Sequence, residues 1–270
     1  MGGIEAEITI LGCGGSGGTP LACGHWGNCD ENEPKNRRTR ASIAIRTART
    51  TLVIDTGPDF REQSILEGLS DIDGIVYTHD HADHVGGFDD VRYAAIKRRI
   101  NGDPHFIMPV YADEKTMNSL QKRFDYMFEI SPDGLYIPLI KPNLITTGQF
   151  QSGDITIDII SQIHGAGSSL GFKIGDIGYS TDASNLDDGA LQSFKGIKAW
   201  IVDCGQYGSA EDDLTVHPNL ERVLRWNDVV GADRLYLTHL TPRQDYHTIN
   251  AETADNIECA YDGLKLKTTL

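Results

Sequence analysis

The sequence is short of positive charge. Lysine and arginine together number 24, against 39 aspartate and glutamate residues, so the formal net charge of the 270-residue chain is -15. Because phosphate neutralisation dominates the binding of long nucleic acids, this deficit argues against a protein that binds them through a general basic surface. A small anionic substrate is compatible with the charge, since bound dications would supply positive charge that the formal count omits.

Long hydrophobic runs are also missing. The longest apolar runs fall well short of the roughly 20 residues that span a bilayer, so neither a membrane helix nor a membrane partner is expected. Residues 1–7 contain no basic region followed by an apolar stretch, which predicts no secretory signal and a cytoplasmic location. Ala6 occupies the position at which N-myristoylation requires Ser or Thr, so that modification is not expected.

Cysteine is scarce. The five cysteines are odd in number and unevenly spaced, which fits reduced thiols or metal ligands better than a disulfide framework. Cys23, His25 and Cys29 lie within seven residues of one another. Three ligands this close could hold a structural zinc if a fourth came from elsewhere in the chain, so the loop is a candidate zinc site.

The 29 glycines indicate tight turns between short elements, many of them strands. The apolar fraction suffices for a sizeable core, and no linker, low-complexity run or repeat divides the chain, so residues 1–270 are expected to form a single domain. Alternating or apolar stretches predict strands, and 3.6-residue periodicity predicts helices. The expected strands are 5–11, 41–46, 51–55, 107–111, 154–160, a hairpin over 170–181, 200–204, 234–240 and 264–268, and the expected helices are 58–69, 88–100, 113–128 and 218–230.

Residues 78–87, which read THDHADHVGG, are the densest group of metal-ligating side chains in the sequence. Alternate side chains of an extended segment point the same way, so His79 and His81 can chelate one ion as a pair. Asp83 and His84 follow in a predicted turn that can bring them to a second ion. Surface histidines in an acidic loop are the alternative, but this spacing rarely arises by chance after a buried strand.

The pattern His-x-His-x-Asp-His followed by Gly-Gly resembles that of the metallo-β-lactamase superfamily. The resemblance implies an α/β fold built as a four-layer αββα sandwich, in which ligands from several strand ends converge. It also implies that Asp55 orients the metal-binding loop through hydrogen bonds. The implied ligands are His79, His81 and His164 on one ion, Asp83, His84 and His239 on the other, and Asp182 bridging the two.

Nitrogen and oxygen ligands without a thiolate suit two divalent ions, either zinc or manganese. Two ions about 4 Å apart lower the pKa of a bridging water and clamp both oxygens of a displacement, so the implied reaction is hydrolysis. His217 could donate a hydrogen bond to the substrate or its leaving oxygen, although a plain surface histidine is the alternative. Asp83 could also relay that proton while serving as a ligand.

The glycine-rich run 12–20, the cysteine-containing loop and the run 36–42 resemble most closely the phosphoribosyl cyclic phosphodiesterases of the carbon-phosphorus lyase pathway, and also the tRNA-processing nuclease branch. This resemblance implies a phosphodiesterase acting on a small cyclic or nucleotide-like phosphate ester. Arg37, Arg38 or Arg40 could reach the substrate phosphate, for which guanidinium geometry is well suited; a solvated loop is the alternative. Such phosphodiesterases have three closely spaced cysteines in the loop, and here glycine or histidine replaces one.

Two other readings stay open. One is a non-hydrolytic metal protein of cofactor biosynthesis, because the member of the superfamily in the pyrroloquinoline quinone pathway shares a similar N-terminal loop. The other is a hydrolase of the lactonase or thioesterase type, which shares the histidine motif. A tRNA nuclease is disfavoured because the chain has no long basic insertion. Relatives often form dimers, so a homodimer is compatible with the resemblance.

Overall fold

The first sheet combines strands from the N-terminal half with the last strand of the chain. It is seen in a computed structural model that describes residues 3–130, 133–134, 137–206 and 216–270. Its strands are β1 (Glu5–Gly12), β2 (Ser42–Arg46), β3 (Thr51–Ile54), β4 (Gly74–Val76), β5 (Met108–Ala112), β6 (Ile140–Leu144) and β14 (Lys265–Thr269). In the described residues their order is β14-β1-β2-β3-β4-β5-β6, antiparallel as far as β3 and parallel from β3 to β6.

The second sheet contains the remaining strands of the described residues. They are β7 (Gly148–Ser152), β8 (Ile155–His164), β9 (Gly167–Ile174), β10 (Ile177–Ser180), β11 (Ala199–Asp203), β12 (Arg234–Thr238) and β13 (Ile257–Cys259). Their order is β13-β12-β11-β10-β9-β8-β7, with antiparallel pairing from β7 to β10 and parallel pairing from β10 to β13. The parallel half therefore places the ends of its four strands, β10 to β13, at the same end of the sheet.

Alternating side chains build apolar layers on both faces of each sheet. In β2, Ile43 and Ile45 are buried between the two sheets, whereas Ala44 faces the helices outside. In β11, Ile201 joins the layer between the sheets and Val202 the layer under the outer helices. Since adjacent residues point to opposite faces, a strand buried on both faces must be apolar at consecutive positions, and this explains the continuous apolar runs in the sequence.

Helices cover the outer face of each sheet. The helices of the described residues are α1 (Phe60–Leu66), α2 (Ala82–Val85), α3 (Phe88–Ile100), α4 (Glu114–Arg123), α5 (Asp188–Phe194), α6 (Leu220–Val230) and α7 (Tyr246–Glu252). Helices α1, α3 and α4 pack on the first sheet, and α5, α6 and α7 pack on the second. The predicted αββα sandwich is thus confirmed. Within the described residues, no helix combines the length and apolar character needed to cross a membrane.

Candidate metal centre

Side chains from both sheets converge where their strands end. His79 lies in the loop after β4, while His164 is the last residue of β8. Asp182 follows β10 by two residues, and His239 follows β12 directly. The ligand atoms form two groups, each within 4.8 Å, that share Asp182: His79, His81, His164 and Asp182 in one, and Asp83, His84, Asp182 and His239 in the other.

Asp182 lies between the two groups and presents one carboxylate oxygen to each. Its Oδ1 is 3.5 Å from His164 Nε2 and 3.9 Å from His79 Nε2. Its Oδ2 is 2.9 Å from His84 Nε2 and 3.4 Å from His239 Nε2. A carboxylate with this placement can bridge two cations and balance part of their charge.

Asp83 and His81 complete the two groups. Asp83 Oδ2 is 3.4 Å from His84 Nε2 and 3.6 Å from His239 Nε2. His81 Nδ1 is 3.3 Å from His164 Nε2. His81 is exposed, whereas His84, His164 and His239 are buried, so the cluster opens to solvent beside His81.

Asp55 anchors the loop that carries His79 to His84 through hydrogen bonds. Its Oδ1 accepts a hydrogen bond from the Thr78 backbone N–H at 2.8 Å, and its Oδ2 accepts one from Thr78 Oγ1 at 2.8 Å. The same Oδ2 is 2.7 Å from His84 Nδ1. A proton on Nδ1 therefore leaves the Nε2 lone pair of His84 directed at Asp182 and Asp83, which is the orientation that metal binding needs.

Backbone strain is concentrated at this site. In the described residues, positive φ outside glycine occurs at Asp55 (66°), Asp182 (51°) and His239 (57°). Each of these residues lies just past a strand and turns its side chain into the cluster. Such conformations cost of order 1–3 kcal/mol each and persist where the surroundings determine them fully, as they commonly do at functional sites.

The cluster fits divalent cations. Nε2 of His79 and both ring nitrogens of His239 are buried without a hydrogen-bond partner, a costly state that coordination would relieve. Burial, together with His84, lowers the pKa of His79 to about 2, so this imidazole is neutral and able to ligate. Burial opposes ionisation of Asp83, but the nearby imidazoles of His239 and His84 hold its pKa well below the usual range.

A second histidine–aspartate pair, His217 and Asp203, adjoins the cluster. His217 Nδ1 is 2.9 Å from Asp203 Oδ2, and its ring stacks on His239 with centroids 4.3 Å apart. Burial alone would lower the pKa of His217, but the Asp203 carboxylate outweighs it and raises this pKa to about 9. Asp203 was not predicted as a site residue, because the resemblance implies no role for it, although it ends an apolar strand and so occupies a strand-end position like those of His164 and His239.

The structure does not bring the proposed structural zinc ligands together. Cys29 is buried, with its Sγ 3.5 Å from the Pro242 carbonyl oxygen and 3.9 Å from Arg38 Nη1, whereas Cys23 and His25 are exposed. Among the described residues, the candidate metal groups do not include any of the three. The prediction of a zinc site at Cys23, His25 and Cys29 is therefore corrected, because a buried guanidinium lies beside the one inward-facing thiol.

The three candidate phosphate-binding arginines have different surroundings. Arg38 is 2 % exposed and donates to the carbonyl oxygen of Gln244 at 2.7 Å and to Asn36 Oδ1 at 3.2 Å. Its prediction as a substrate contact is wrong, since its guanidinium is enclosed by protein. Arg40 pairs with Asp59 at 3.1 Å, and the exposed Arg37 lies over the Trp26 ring at 5.1 Å. For Arg37 and Arg40 a substrate contact stays a prediction.

Comparison with known proteins agrees with this architecture. The family model described as "Beta-lactamase superfamily domain" matches residues 50–240. The chain belongs to the beta-lactamase superfamily. Within this superfamily, the chain is similar to a structurally characterised diphosphatase from the PhnP family, with 30% identity and a TM-score of 0.86, covering 99% of this chain and 98% of the other.

Two curated proteins that the chain matches are longer than the matched regions. An octanoyltransferase from Porphyromonas gingivalis (strain ATCC BAA-308 / W83) is 29% identical over 262 residues, which cover 95% of this chain and 50% of that protein. The exodeoxyribonuclease YycJ from Bacillus anthracis is 23% identical over 171 residues, covering 60% of this chain and 57% of that protein. The chain thus spans about half the length of these relatives. The superfamily fold and the histidine–aspartate cluster together support a metal-dependent hydrolase.

Proposed function

We propose that this protein is a metal-dependent phosphodiesterase that hydrolyses a small cyclic or nucleotide-like phosphate ester. The observation that carries the proposal is the pair of ligand groups joined by Asp182. Two zinc or manganese ions bound there would polarise a phosphoryl group and lower the pKa of a water molecule. The residues that would hold them are His79, His81 and His164 in one group, Asp83, His84 and His239 in the other, and Asp182 in both.

The residues in and around the cluster have separate roles in the proposed reaction. Asp55 fixes the orientation of His84, and Asp182 balances charge between the two groups. Asp203 accepts from Nδ1 of His217 and so orients its ring, and in this proposal His217 donates a hydrogen bond or a proton to the leaving oxygen. Asp83 is less suited to that role, since its carboxylate faces two imidazoles as a ligand.

The similar proteins favour phosphorus–oxygen hydrolysis over acyl chemistry. The chain covers almost the whole of the PhnP-family diphosphatase, and the name exodeoxyribonuclease also denotes cleavage of phosphodiester bonds. The octanoyltransferase is about twice as long as the matched region, so its name does not say which half carries the acyl transfer. The net charge of -15 favours a small ester over a long nucleic acid as the substrate.

The test is hydrolysis of bis-p-nitrophenyl phosphate by protein that has been stripped with a chelator and reloaded with zinc or manganese. We expect two metal ions per chain by elemental analysis and hydrolysis only after reloading. Asp182→Asn should abolish turnover while the circular dichroism spectrum is retained. His105→Ala, which removes an exposed histidine far along the chain from every ligand segment, serves as the matched control and should leave hydrolysis unchanged.

The opposite pattern would redirect the assignment. Two bound metals with no phosphodiester cleavage, but with metal-dependent cleavage of a lactone or a thioester, would contradict the proposal. That result would place the protein with the acyl hydrolases of the superfamily. Two bound metals with none of these activities would favour the non-hydrolytic reading instead.

A further inference from the structure

Helix α4 contacts the metal-binding loop (residues 78–87) between two of its ligands. Arg123, the last residue of the helix, donates from Nη1 to the backbone carbonyl oxygen of Asp80 at 3.0 Å. Lys115, in the first turn, has its Nζ 3.5 Å from Asp80 Oδ1. Asp80 lies between His79 and His81 in the chain. Two cations from opposite ends of one helix therefore hold the residue that joins two metal ligands.

The same lysine lies beside the third histidine segment of that ligand group. A Cβ at Gly167 would lie 3.6 Å from Lys115 Nζ. Gly167 pairs with His164, the last residue of β8, across the turn between β8 and β9. Helix α4 thus contacts every histidine segment of the group formed by His79, His81 and His164, the first ligand group.

The position of α4 is fixed by packing at its C-terminal end. Phe124, directly after the helix, packs on Phe88 with ring centroids 5.0 Å apart, and the Phe128 ring stacks on Phe88 at 5.7 Å. Phe88 is buried and begins α3, the helix that follows the metal-binding loop. Tyr126 Oη donates to Asp89 in the first turn of α3. Because α4 is held in place, its two cations can restrain the loop rather than follow its movements.

These contacts lie beside the most exposed part of the loop. Asp55 anchors the loop at Thr78 and at His84, and the contacts of α4 fall between these anchors, on Asp80. His81 is exposed and lies where the cluster opens to solvent. A segment with few neighbours is less restrained than a buried one. Helix α4 therefore adds restraint next to the exposed ligand.

We propose that Lys115 and Arg123 are positioning residues that set the affinity of the first ligand group for its ion. Each acts through Asp80, Arg123 on the carbonyl oxygen and Lys115 on the carboxylate, and neither is itself a ligand. Ligands that are already held in the bound arrangement need not be ordered when the ion binds, so restraint raises the affinity. The inference rests on the metal centre of the proposed function but not on its reaction.

Zinc binding without substrate tests the inference. Competition with a chromophoric chelator gives a dissociation constant for each ion, and His81→Ala, which removes a ligand, identifies the constant of the first ligand group. Arg123→Gln should raise that constant by about 3- to 10-fold, less than the loss of a partner that bonds directly to a ligand, because this contact is exposed. The constant of the group formed by Asp83, His84 and His239 should change by less than about twofold.

The sign of the change separates positioning from charge. Loss of a cation by itself removes repulsion of the bound dication and would tighten zinc binding, so weaker binding identifies lost positioning. Lys122→Gln removes the exposed cation next to Arg123 on the same helix and is the matched control, in which the first constant should be unchanged or slightly lower. Arg123→Lys keeps a charged donor and should recover part of the affinity.

A change at Asp80 separates the two contacts. Asp80→Asn lacks the carboxylate but keeps the carbonyl oxygen. In this background Lys115→Gln should no longer weaken zinc binding, whereas Arg123→Gln should still do so. In the unmodified background Lys115→Gln should have the smaller effect of the two, because an exposed ion pair at 3.5 Å contributes little.

Three results would overturn the inference: unchanged or tighter zinc binding in Arg123→Gln, an equal loss in both ligand groups, or the same loss in Lys122→Gln. An equal loss in both groups, together with easier urea unfolding of the metal-free variant, would show that Arg123 only stabilises the fold. The expected zinc affinities in a protein that cleaves no phosphate ester would overturn the proposed function alone. A protein that binds no zinc would overturn both.

Discussion

The residues that define the site are held in conformations they would not adopt alone. Asp55, Asp182 and His239 all have left-handed backbone geometry, which aspartate and histidine adopt more often than most non-glycine residues but which is still uncommon. The strand before each of these residues fixes where its turn begins. Hydrogen bonds in the residues after the turn fix the direction of the side chain. The precision of the cluster therefore depends on neighbours that bind no metal themselves.

Asp55→Asn tests the most central of these neighbours. Asparagine keeps the shape and tolerates the left-handed backbone, but its NH2 group replaces one acceptor oxygen, so it cannot accept from the Thr78 N–H, Thr78 Oγ1 and His84 Nδ1 together as the carboxylate does. We expect the affinity for the metal on the His84 side, and the rate of hydrolysis, to fall by about 10- to 100-fold. Metal content after dialysis at graded free zinc measures the first effect. Exposed Asp71→Asn is the control, and unchanged affinity in Asp55→Asn would show that other contacts orient His84.

Arg38→Met tests the buried guanidinium that stands where a structural zinc was expected. Methionine fills similar space but leaves the Gln244 carbonyl oxygen without its donor, whereas Asn36 Oδ1 keeps the Tyr246 N–H as a donor. An orphaned buried acceptor costs about 1–3 kcal/mol, so the free energy of unfolding should fall by about 1–3 kcal/mol. Urea unfolding measures it, and exposed Arg37→Met should change the same quantity by less than about 1 kcal/mol. If Arg38→Met were as stable as the unmodified protein or more so, the free-energy cost of burying the Arg38 charge would equal or exceed the stabilisation from its hydrogen bonds.

At the level of elements, interior strands were predictable and edge strands mostly were not. The alternation of Ile43 and Ile45 with Ala44 predicted β2, because both faces of that strand are buried. Strands β6, β7 and β13 were missed, and each is the last strand at one edge of its sheet. An edge strand such as β7 (GQFQS) has few apolar neighbours to pack against, so its sequence shows little hydrophobic alternation. Strand β8 continues beyond the predicted end at residue 160 to His164, so this ligand ends the strand rather than following it.

Helix α6 ends on a glycine whose role can be measured without disturbing packing. Gly231 has φ 74° and ψ 34°, and its N–H donates to the Asn227 carbonyl oxygen. A Cβ there would meet no atom within 4 Å, so Gly231→Ala tests backbone strain alone. We expect the free energy of unfolding to fall by about 1 kcal/mol.

The control for Gly231 is an asparagine at the same position. Gly231→Asn should cost less than Gly231→Ala, because asparagine adopts the left-handed conformation more readily than alanine. Thermal unfolding of the two variants beside the unmodified protein ranks the three. An alanine variant as stable as the original would show that the end of α6 can relax into an ordinary helical conformation.

At the scale of the whole molecule, contacts between segments distant in the chain could not be predicted from the sequence. The placement of the ligand segments at strand ends followed from the motif, the local strand patterns and the family resemblance. The pairing of His217 with Asp203 and the enclosure of Arg38 by Gln244 did not, because these contacts join segments that no sequence periodicity relates. In Arg38 the partner lies 206 residues away, so only the folded topology shows that the basic run 35–40 sends one of its side chains inward.

Asp262 makes another long-range connection, and it should give stability a measurable pH dependence. Its carboxylate accepts from the Cys13 N–H at 3.0 Å and from both the N–H and Oγ1 of Thr39 at 2.7 Å, which ties the end of the chain to its beginning. Burial raises the pKa of Asp262 to about 6 despite these hydrogen bonds. Between about pH 4 and pH 6 the folded state therefore binds more protons than the unfolded state, in which the pKa is about 3.9, and stability falls as the pH rises through this window.

Asp262→Asn removes the titrating carboxyl group, so comparison with the unmodified protein isolates the contribution of Asp262 to the pH dependence of stability. Two pKa units correspond to about 3 kcal/mol, and partial exposure of this half-buried residue reduces the expected effect to about 2 kcal/mol. The free energy of unfolding of the variant, minus that of the unmodified protein, should therefore rise by about 2 kcal/mol from pH 4 to pH 7. Urea unfolding in the presence of a chelator measures it free of metal binding, with exposed Asp255→Asn as the control. A difference that stays constant across the range would mean that Asp262 ionises in the folded protein as it does in an open chain.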